Sequence, residues 1–139
     1  MTKMLCNTVQ LSRWPIICCI LLLCVMPVRP EESLSGWKGS YQPVSRVCEG
    51  SVLSIEDSTL SYNTCKAAKT QVLKNSKSEL SLKVNKDAKC GVAGWVITLR
   101  RSGGSDVQCS GYRTVEDSRA GLPAFECTYR RRIVRTKSK

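Results

Sequence analysis

The sequence predicts an all-β fold in which two tandem, disulfide-clamped hairpin repeats form one small pseudo-symmetric domain. Three observations lead to this prediction. Apolar and polar residues alternate with a period of two in most segments, turn residues separate these segments, and one phrase of the sequence occurs twice. Six or seven short segments fit a strand and at most one fits a helix. An immunoglobulin-like sandwich and a small α+β secreted fold are the open alternatives.

The N-terminal segment, residues 1–35, has the features of a secretory signal peptide. Ile16–Val28 is an unbroken apolar run of thirteen residues, shorter than the roughly 20 residues of a membrane helix and within the range of a signal sequence. Ser33 and Ser35 supply the small residues of a cleavage site before Gly36. We therefore expect a secreted, extracellular protein. An uncleaved membrane anchor is the alternative.

The sequence therefore predicts three parts. Residues 1–35 are the signal peptide, residues 36–129 form a single cysteine-stabilised β domain, and residues 130–139 form a basic C-terminal tail. The domain contains the two repeats, at about residues 41–100 and 101–129. A chain of this length can bury one modest core.

The first half of the domain contains one clear hairpin. Ser51–Ile55 and Thr59–Thr64 alternate apolar and polar residues, and Glu56–Ser58 between them has turn chemistry. Lys66–Ser78 is expected to be a short helix or a solvated loop. Glu79–Val84 alternates again and predicts a strand.

The second half predicts another hairpin and a last strand. Gly94–Arg101 and Ser105–Val115 flank the glycine-rich turn Ser102–Gly104. Ala124–Val134 then alternates as a final strand. Before all of these segments, Gly36–Val47 is polar and is expected to run in an extended form.

The repeated phrase spans Cys48–Cys65 and returns as Cys109–Cys127, with offsets between matching residues of 60 to 62 positions. Each copy contains a cysteine, a glycine two residues later, a strand, an acidic turn of the form Ile/Val-Glu-Asp-Ser, a second strand and a closing cysteine. A near-constant offset indicates that one supersecondary unit is used twice. In such a unit, a cysteine at each end can clamp the hairpin.

Five cysteines follow the signal peptide, and an oxidising compartment favours their pairing. One of the five is left over, and fifteen arrangements of two disulfides exist that spacing alone does not separate. The repeat favours Cys48–Cys65 and Cys109–Cys127, which close loops of 16 and 17 residues. Cys90 then remains for a disulfide-linked dimer.

Two clamped hairpins in tandem, each followed by an apolar strand and a glycine turn, resemble the cyanovirin-N homology family of small lectins. The first repeat carries "VSRVCEG", "STLSYNTC", "SELSL" and "AGWV", and the second carries "SDVQC" and "LPAFEC". The chain ends twelve residues after Cys127, so the second repeat is shortened relative to that family.

This resemblance implies an all-β pseudo-symmetric lectin that binds mannose-type oligosaccharides at one site formed by the middle of the chain. The side chains of that site are suited to sugar hydroxyls and to stacking on a sugar face. The implied carbohydrate-binding residues are Asn85, Asp87, Trp95, Asp106, Gln108, Thr128 and Arg130. Glycans or a glycoprotein are therefore the expected partners.

The composition argues against an enzyme. The chain contains no histidine, so it lacks the usual base near neutral pH and the imidazole ligand of metal sites. The cysteines after the signal peptide lack C-x-x-C spacing. We predict a non-catalytic protein without metal or cofactor.

Positive charge is concentrated at the C-terminus. Six of the 22 Lys and Arg residues lie in the last ten positions, and they are Arg130, Arg131, Arg132, Arg135, Lys137 and Lys139. This tail predicts contact with a polyanion, and a solvated tail that aids solubility is the alternative. Nucleic acid is not the expected partner, because no aromatic residues interleave with the basic ones. The alternative function is a secreted effector or ligand that binds a host or cell-surface protein.

Overall fold

Eight antiparallel strands form a closed barrel in the computed structural model, which describes residues 34–133. Each strand pairs with the next one in the sequence, and the first pairs with the last. The strands are β1 (Gly39–Pro43), β2 (Leu53–Ile55), β3 (Thr59–Tyr62), β4 (Cys65–Asn75), β5 (Glu79–Val84), β6 (Val96–Gly103), β7 (Asp106–Tyr112) and β8 (Phe125–Arg131). The all-β prediction is thus confirmed, as a single barrel and not as a two-sheet sandwich.

Three short helical segments accompany the strands. The 3-10 turns Leu34–Gly36 and Arg46–Cys48 precede β1 and β2, and helix α1 (Val115–Ala120) lies between β7 and β8. None of the helices in the described part of the chain has the length and apolar character of a membrane span.

Alternation within the strands fills the inside of the barrel with apolar side chains. In β5, Leu80 lies opposite Leu99, and Leu82 lies opposite Ile97, and all four are fully buried. An eight-stranded barrel has an interior just wide enough for such side chains. Burial of these rows stabilises the fold by about 1.5–3 kcal/mol for each large aliphatic side chain.

The connections divide between two ends of the barrel. At one end, which we call the turn end, short connections join β2 to β3, β4 to β5 and β6 to β7. At the other end, the loop end, longer connections occupy residues 44–52, 85–95 and 113–124, and the short turn at residues 63–64 joins β3 to β4. The 3-10 turn Leu34–Gly36 precedes β1 at the turn end.

The segment Lys66–Ser78 was predicted wrongly. It belongs mainly to β4, the longest strand, which pairs with β3 on one side and β5 on the other. A bulge between Val72 and Lys74 interrupts the alternation and leaves Val72 and Leu73 exposed, so the period-two pattern is weak there. Pairing with two neighbours determines this strand.

The two copies of the acidic phrase adopt different structures. Glu56–Ser58 forms the predicted tight turn, closed by a hydrogen bond from the Glu56 N–H to the Thr59 carbonyl (3.0 Å). The second copy forms α1 instead of the turn expected there. Thr114 caps that helix by accepting a hydrogen bond from the Asp117 N–H (3.0 Å), and Gly121 ends it with φ of 68°. Within residues 34–133 the copies therefore do not show the predicted pseudo-symmetry.

The disulfides also differ from the predicted pairing. Cys48 bonds to Cys127 and Cys65 bonds to Cys90, with Cα–Cα distances of 6.0 and 5.0 Å. Cys109 is the free cysteine among the described residues. The predicted clamps Cys48–Cys65 and Cys109–Cys127 are wrong, and Cys90 is not available for the predicted dimer.

Barrel closure explains the first disulfide. The Val44 N–H donates to the Thr128 carbonyl (2.8 Å), and the Thr128 N–H donates to Ser45 Oγ (2.8 Å). These hydrogen bonds seat the segment that carries Cys48 beside β8. The partner of Cys127 is thus Cys48, near the start of the domain, and not Cys109 on the opposite strand.

Leu34, which precedes the predicted cleavage site, is buried in the structure. Leu34 is 4% exposed, and its carbonyl accepts hydrogen bonds from the N–H groups of Trp37 (2.7 Å) and Lys38 (3.0 Å). Leu34 thus packs with the core of the barrel. The cleavage site before Gly36 stays a prediction. The remainder of the predicted signal peptide lies outside the described residues.

A disulfide map tests the pairing. Non-reducing proteolysis with mass spectrometry should give peptides joined by Cys48–Cys127 and Cys65–Cys90. Cys109 should resist alkylation in the folded protein and react in denaturant, because it is fully buried. A peptide joined by Cys48–Cys65 would contradict the barrel closure described here.

The buried thiol predicts a loss of stability at alkaline pH. Burial raises the pKa of Cys109 from the usual 9.0 to about 12. Above pH 9 the Cys109 thiol of the unfolded chain loses its proton, whereas the buried thiol of the folded chain keeps it. The stability that the buried thiol contributes is therefore present below pH 9 and is lost as the pH rises toward 12. Urea unfolding between pH 8 and 10 should show a decline of up to about 1.4 kcal/mol per pH unit. The Cys109→Ala variant should show a flatter decline, and an identical slope in both proteins would count against this assignment.

Candidate functional site

The seven residues of the predicted carbohydrate site fall into two groups in the structure. Asp106 pairs with Arg130, and Gln108 pairs with Thr128, so these four lie two rungs apart on the same face of β7 and β8. The second group, which is Asn85, Asp87 and Trp95, lies in or beside the β5–β6 connection at the loop end. The barrel therefore separates the residues that the sequence placed in one site.

The first group is occupied by its own interactions. Arg130 donates to both carboxylate oxygens of Asp106, at 2.7 Å from Nε and 3.1 Å from Nη2. This hydrogen bonding holds the pKa of Asp106 below its usual range and raises that of Arg130. Gln108 Nε2 donates to Glu126 Oε1 at 3.5 Å. A sugar hydroxyl would have to compete with these contacts.

The second group has a mixed character. Asn85 Oδ1 accepts a hydrogen bond from the Asp87 N–H (3.0 Å), which shapes the start of the connection. Trp95 is half-buried and stacks on Phe125, with ring centroids 6.2 Å apart, and Phe125 stacks in turn on Tyr62 at 5.2 Å. Trp95 thus belongs to an aromatic cluster that packs against the core. Asn85 and Asp87 instead lie on the surface.

Around Asn85 and Asp87 the structure gathers five lysines, which we call the lysine face. Four of them are exposed and Lys83 is half-buried. The lysine face consists of Lys66 and Lys69 on β4, Lys83 on β5, and Lys86 and Lys89 in the β5–β6 connection.

Two features hold the lysine face together. The Cys65–Cys90 disulfide fixes the β5–β6 connection to the start of β4, with the two Cα atoms 5.0 Å apart. The Asn85 N–H donates to the Lys69 carbonyl (2.9 Å), which continues the pairing of β4 with β5 beyond the strand end. Lysines that are distant in the sequence are thereby placed on one surface.

Two adjoining grooves cross the lysine face, with volumes of about 490 and 430 Å³. They share Lys69, Asn85 and Asp87, and Asp87 is the one carboxylate that lines either groove. The first is lined by Lys69, Thr70, Gln71, Lys83, Val84, Asn85, Lys86 and Asp87, and the second by Cys65, Lys66, Ala67, Ala68, Lys69, Asn85, Asp87, Ala88, Lys89 and Cys90.

Within the described part of the chain, the lysines of this face lack acidic partners. The ion pairs among residues 34–133 are Lys38–Asp57, Lys74–Glu79, Arg100–Glu79 and Arg130–Asp106. None of them involves the lysine face. Its charge is therefore available to a ligand, which gives this surface the chemistry of an anion-binding site.

Sequence reasoning missed this surface although a signal was present. Residues 66–89 contain seven lysines and two acidic residues. The expectation of a helix or loop at Lys66–Ser78 left these lysines without a common surface. The excess of lysine alone would have identified the segment as basic.

The predicted polyanion-binding tail is described only in part. Arg130 is held by Asp106, Arg131 Nη2 donates to the Lys38 carbonyl, and Arg132 is exposed. Arg135, Lys137 and Lys139 lie outside the described residues.

Among residues 34–133, no group of three or more histidine, cysteine, aspartate or glutamate side chains is placed to hold a metal ion. Catalysis was not expected from the sequence, and this remains a prediction.

No protein-family model, curated protein or solved structure matches the chain. The relation to the cyanovirin-N homology family thus also stays a prediction.

The aromatic cluster of Tyr62, Phe125 and Trp95 predicts that one glycine is sensitive to substitution. Gly111 lies opposite Phe125, and a Cβ atom there would overlap the phenyl ring, with Cδ1 at 2.6 Å. Gly111→Ala should therefore lower the free energy of unfolding by about 1–3 kcal/mol, because Phe125 would be pushed out of its stack on Tyr62 and Trp95. Chemical denaturation provides the measurement. Gly91→Ala is the control, since open space surrounds that position, and equal effects of the two changes would contradict the packing.

Proposed function

We propose that this chain is a non-catalytic binding protein and that its lysine face binds sulfated polysaccharide. The observation that supports this proposal is a set of five lysines around two adjoining grooves, none of which forms an ion pair with an acidic residue among residues 34–133. A polymer with repeated sulfate groups would neutralise several of these charges together and release the counterions that surround it. The extracellular location expected from the sequence is where such polymers occur, and the two disulfides are compatible with it.

The composition of the grooves favours a sulfated glycan. Lysine ammonium groups act as compact point charges that suit sulfate groups at varied angles. Thr70, Gln71 and Asn85 lie among the lysines and offer donors and acceptors for sugar hydroxyls. The described linings of both grooves contain no aromatic side chain on which a nucleic acid base could stack. These features support carbohydrate over nucleic acid as the partner.

Two other functions remain predictions. A mannose-type lectin site would use the residues implied by the family resemblance, and an effector would bind a host or cell-surface protein. The basic tail at residues 130–139 would add to polyanion binding in either case. No specific contact in the barrel favours either of these functions over the binding of sulfated polysaccharide by the lysine face.

The test of this proposal is a binding titration of a heparin decasaccharide at 50, 150 and 300 mM NaCl. The triple variant Lys69→Gln, Lys83→Gln, Lys86→Gln should bind at least tenfold more weakly at 150 mM, because the lysines at the centre of the grooves are gone. Its affinity should also depend less steeply on salt, since fewer counterions are released.

The matched control removes the same charge elsewhere. The variant Arg46→Gln, Lys77→Gln, Arg119→Gln replaces three exposed cations that do not line the grooves, and it should keep affinity within about twofold. An equal loss in both variants would show that net charge alone binds heparin and would overturn the proposal. A loss that instead follows deletion of residues 134–139 would assign binding to the tail. Tighter binding of a neutral mannose-rich oligosaccharide, or of single-stranded DNA of equal charge, would also contradict it.

A further inference from the structure

A second basic site lies at the turn end, in a cavity of about 570 Å³ that we call the arginine cavity. It is formed by β1, the β6–β7 turn, the end of β8 and the segment that leads into β1. Its lining is Gly36, Trp37, Gly39, Ser40, Tyr41, Arg101, Gly104, Ser105, Asp106, Val107, Arg131, Arg132 and Ile133. None of these residues belongs to the lysine face.

Strand register places two arginines where the apolar interior of the barrel ends. Arg101 lies opposite Val107, and Arg131 lies opposite Tyr41, so both follow the inward-facing rows of their strands. Trp37 and Tyr41 are 2% and 1% exposed and form the base of the cavity. The interior therefore changes at this end from aliphatic side chains to guanidinium groups above an aromatic base.

Contacts with the protein hold Arg101 and Arg131 in place and leave several of their N–H donors unused. The Arg101 guanidinium lies 4.6 Å from the centroid of the Trp37 ring, and its Nη2 donates to the Gly36 carbonyl at 2.9 Å. Arg131 Nη2 donates to the Lys38 carbonyl. A guanidinium has five N–H donors, so most of them remain for a ligand.

Tyr41 lies near both cations. Burial raises the pKa of Tyr41, and the charges of Arg131 and Arg101 oppose that rise. Both guanidinium groups are thus near the same phenol. Arg132 adds a third cation to the lining, and its side chain has no hydrogen-bond or ion-pair partner within the described residues.

The described residues do not balance the positive charges of the arginine cavity. Asp106 is the one carboxylate in the lining, and both of its oxygens accept hydrogen bonds from Arg130, outside the cavity. Three guanidinium groups consequently share a concave site without a free carboxylate. Such a site attracts an oxyanion, which guanidinium groups bind through paired N–H donors.

Apolar groups complete the lining, since Trp37, Val107 and Ile133 contribute to it. The volume lies within the range of small-molecule sites, roughly 300–1,000 Å³. We propose that the arginine cavity binds a small organic oxyanion, such as a sulfonate, sulfate ester or carboxylate, that carries an apolar or aromatic body. This site is separate from the polysaccharide function and does not depend on it.

Calorimetric titration with three probes tests the chemistry of the site. The probes are naphthalene-2-sulfonate, neutral 2-naphthol and inorganic sulfate. The sulfonate should bind with one-to-one stoichiometry and at least tenfold more tightly than either of the others, because it alone satisfies both the guanidinium groups and the apolar lining. Sulfate that binds as tightly as the sulfonate would exclude the apolar contribution, and 2-naphthol that does so would exclude the anion site.

Variants then locate the binding. The Arg132 side chain has no hydrogen-bond or ion-pair partner among the described residues, so Arg132→Gln should leave the fold intact. This variant should weaken sulfonate binding by about threefold or more. The double variant Arg101→Gln, Arg132→Gln should weaken it at least tenfold. Arg119→Gln on α1 and the triple lysine-face variant are controls that should retain the wild-type affinity. Unchanged affinity in Arg132→Gln, or an equal loss in the controls, would overturn the proposal even if the double variant failed to fold.

Discussion

Closure of the barrel by β1 and β8 is the constraint on which the other features depend. Tyr41 lies opposite Arg131, and Pro43 lies opposite Tyr129, so the beginning and the end of the domain share one hydrogen-bonded ladder. The Cys48–Cys127 disulfide links residues 79 positions apart beside that ladder. A covalent link across a loop of this length removes much of the unfolded chain's freedom, worth about 4.5 kcal/mol in the chain-entropy description. A closed barrel also has no unpaired strand edges, which protects a small domain from edge-to-edge association.

The second disulfide has a different role, because it arranges a surface. Cys65 and Cys90 join the start of β4 to the β5–β6 connection, and the lysines of both segments then line the same grooves. Bringing like charges together is unfavourable, and the covalent link with the β4–β5 ladder supplies the stability to hold them there. A surface that retains such repulsion is well suited to bind a partner of opposite charge.

The turn end shows the same balance between packing and charge. Inward-facing rows that are aliphatic in the middle of the barrel end in Arg101 and Arg131, and the ring of Trp37 and backbone carbonyls stabilise these cations. The barrel therefore presents two basic sites of different shape. The lysine face is open and suits a polymer, whereas the arginine cavity is concave and suits a small molecule.

The sequence by itself determined the all-β class, six of the strands as isolated segments and the tight turn at Glu56–Ser58, because alternation and turn chemistry are local. The tertiary structure decided the remainder. The segment at Lys66–Ser78 became β4 through pairing with two neighbours. The second copy of the acidic phrase is an exception, because its caps Thr114 and Gly121 are a local helix signal that the likeness to the first copy obscured. The disulfide partners and the lysine face depend on which distant segments meet, and spacing along the chain does not contain that information.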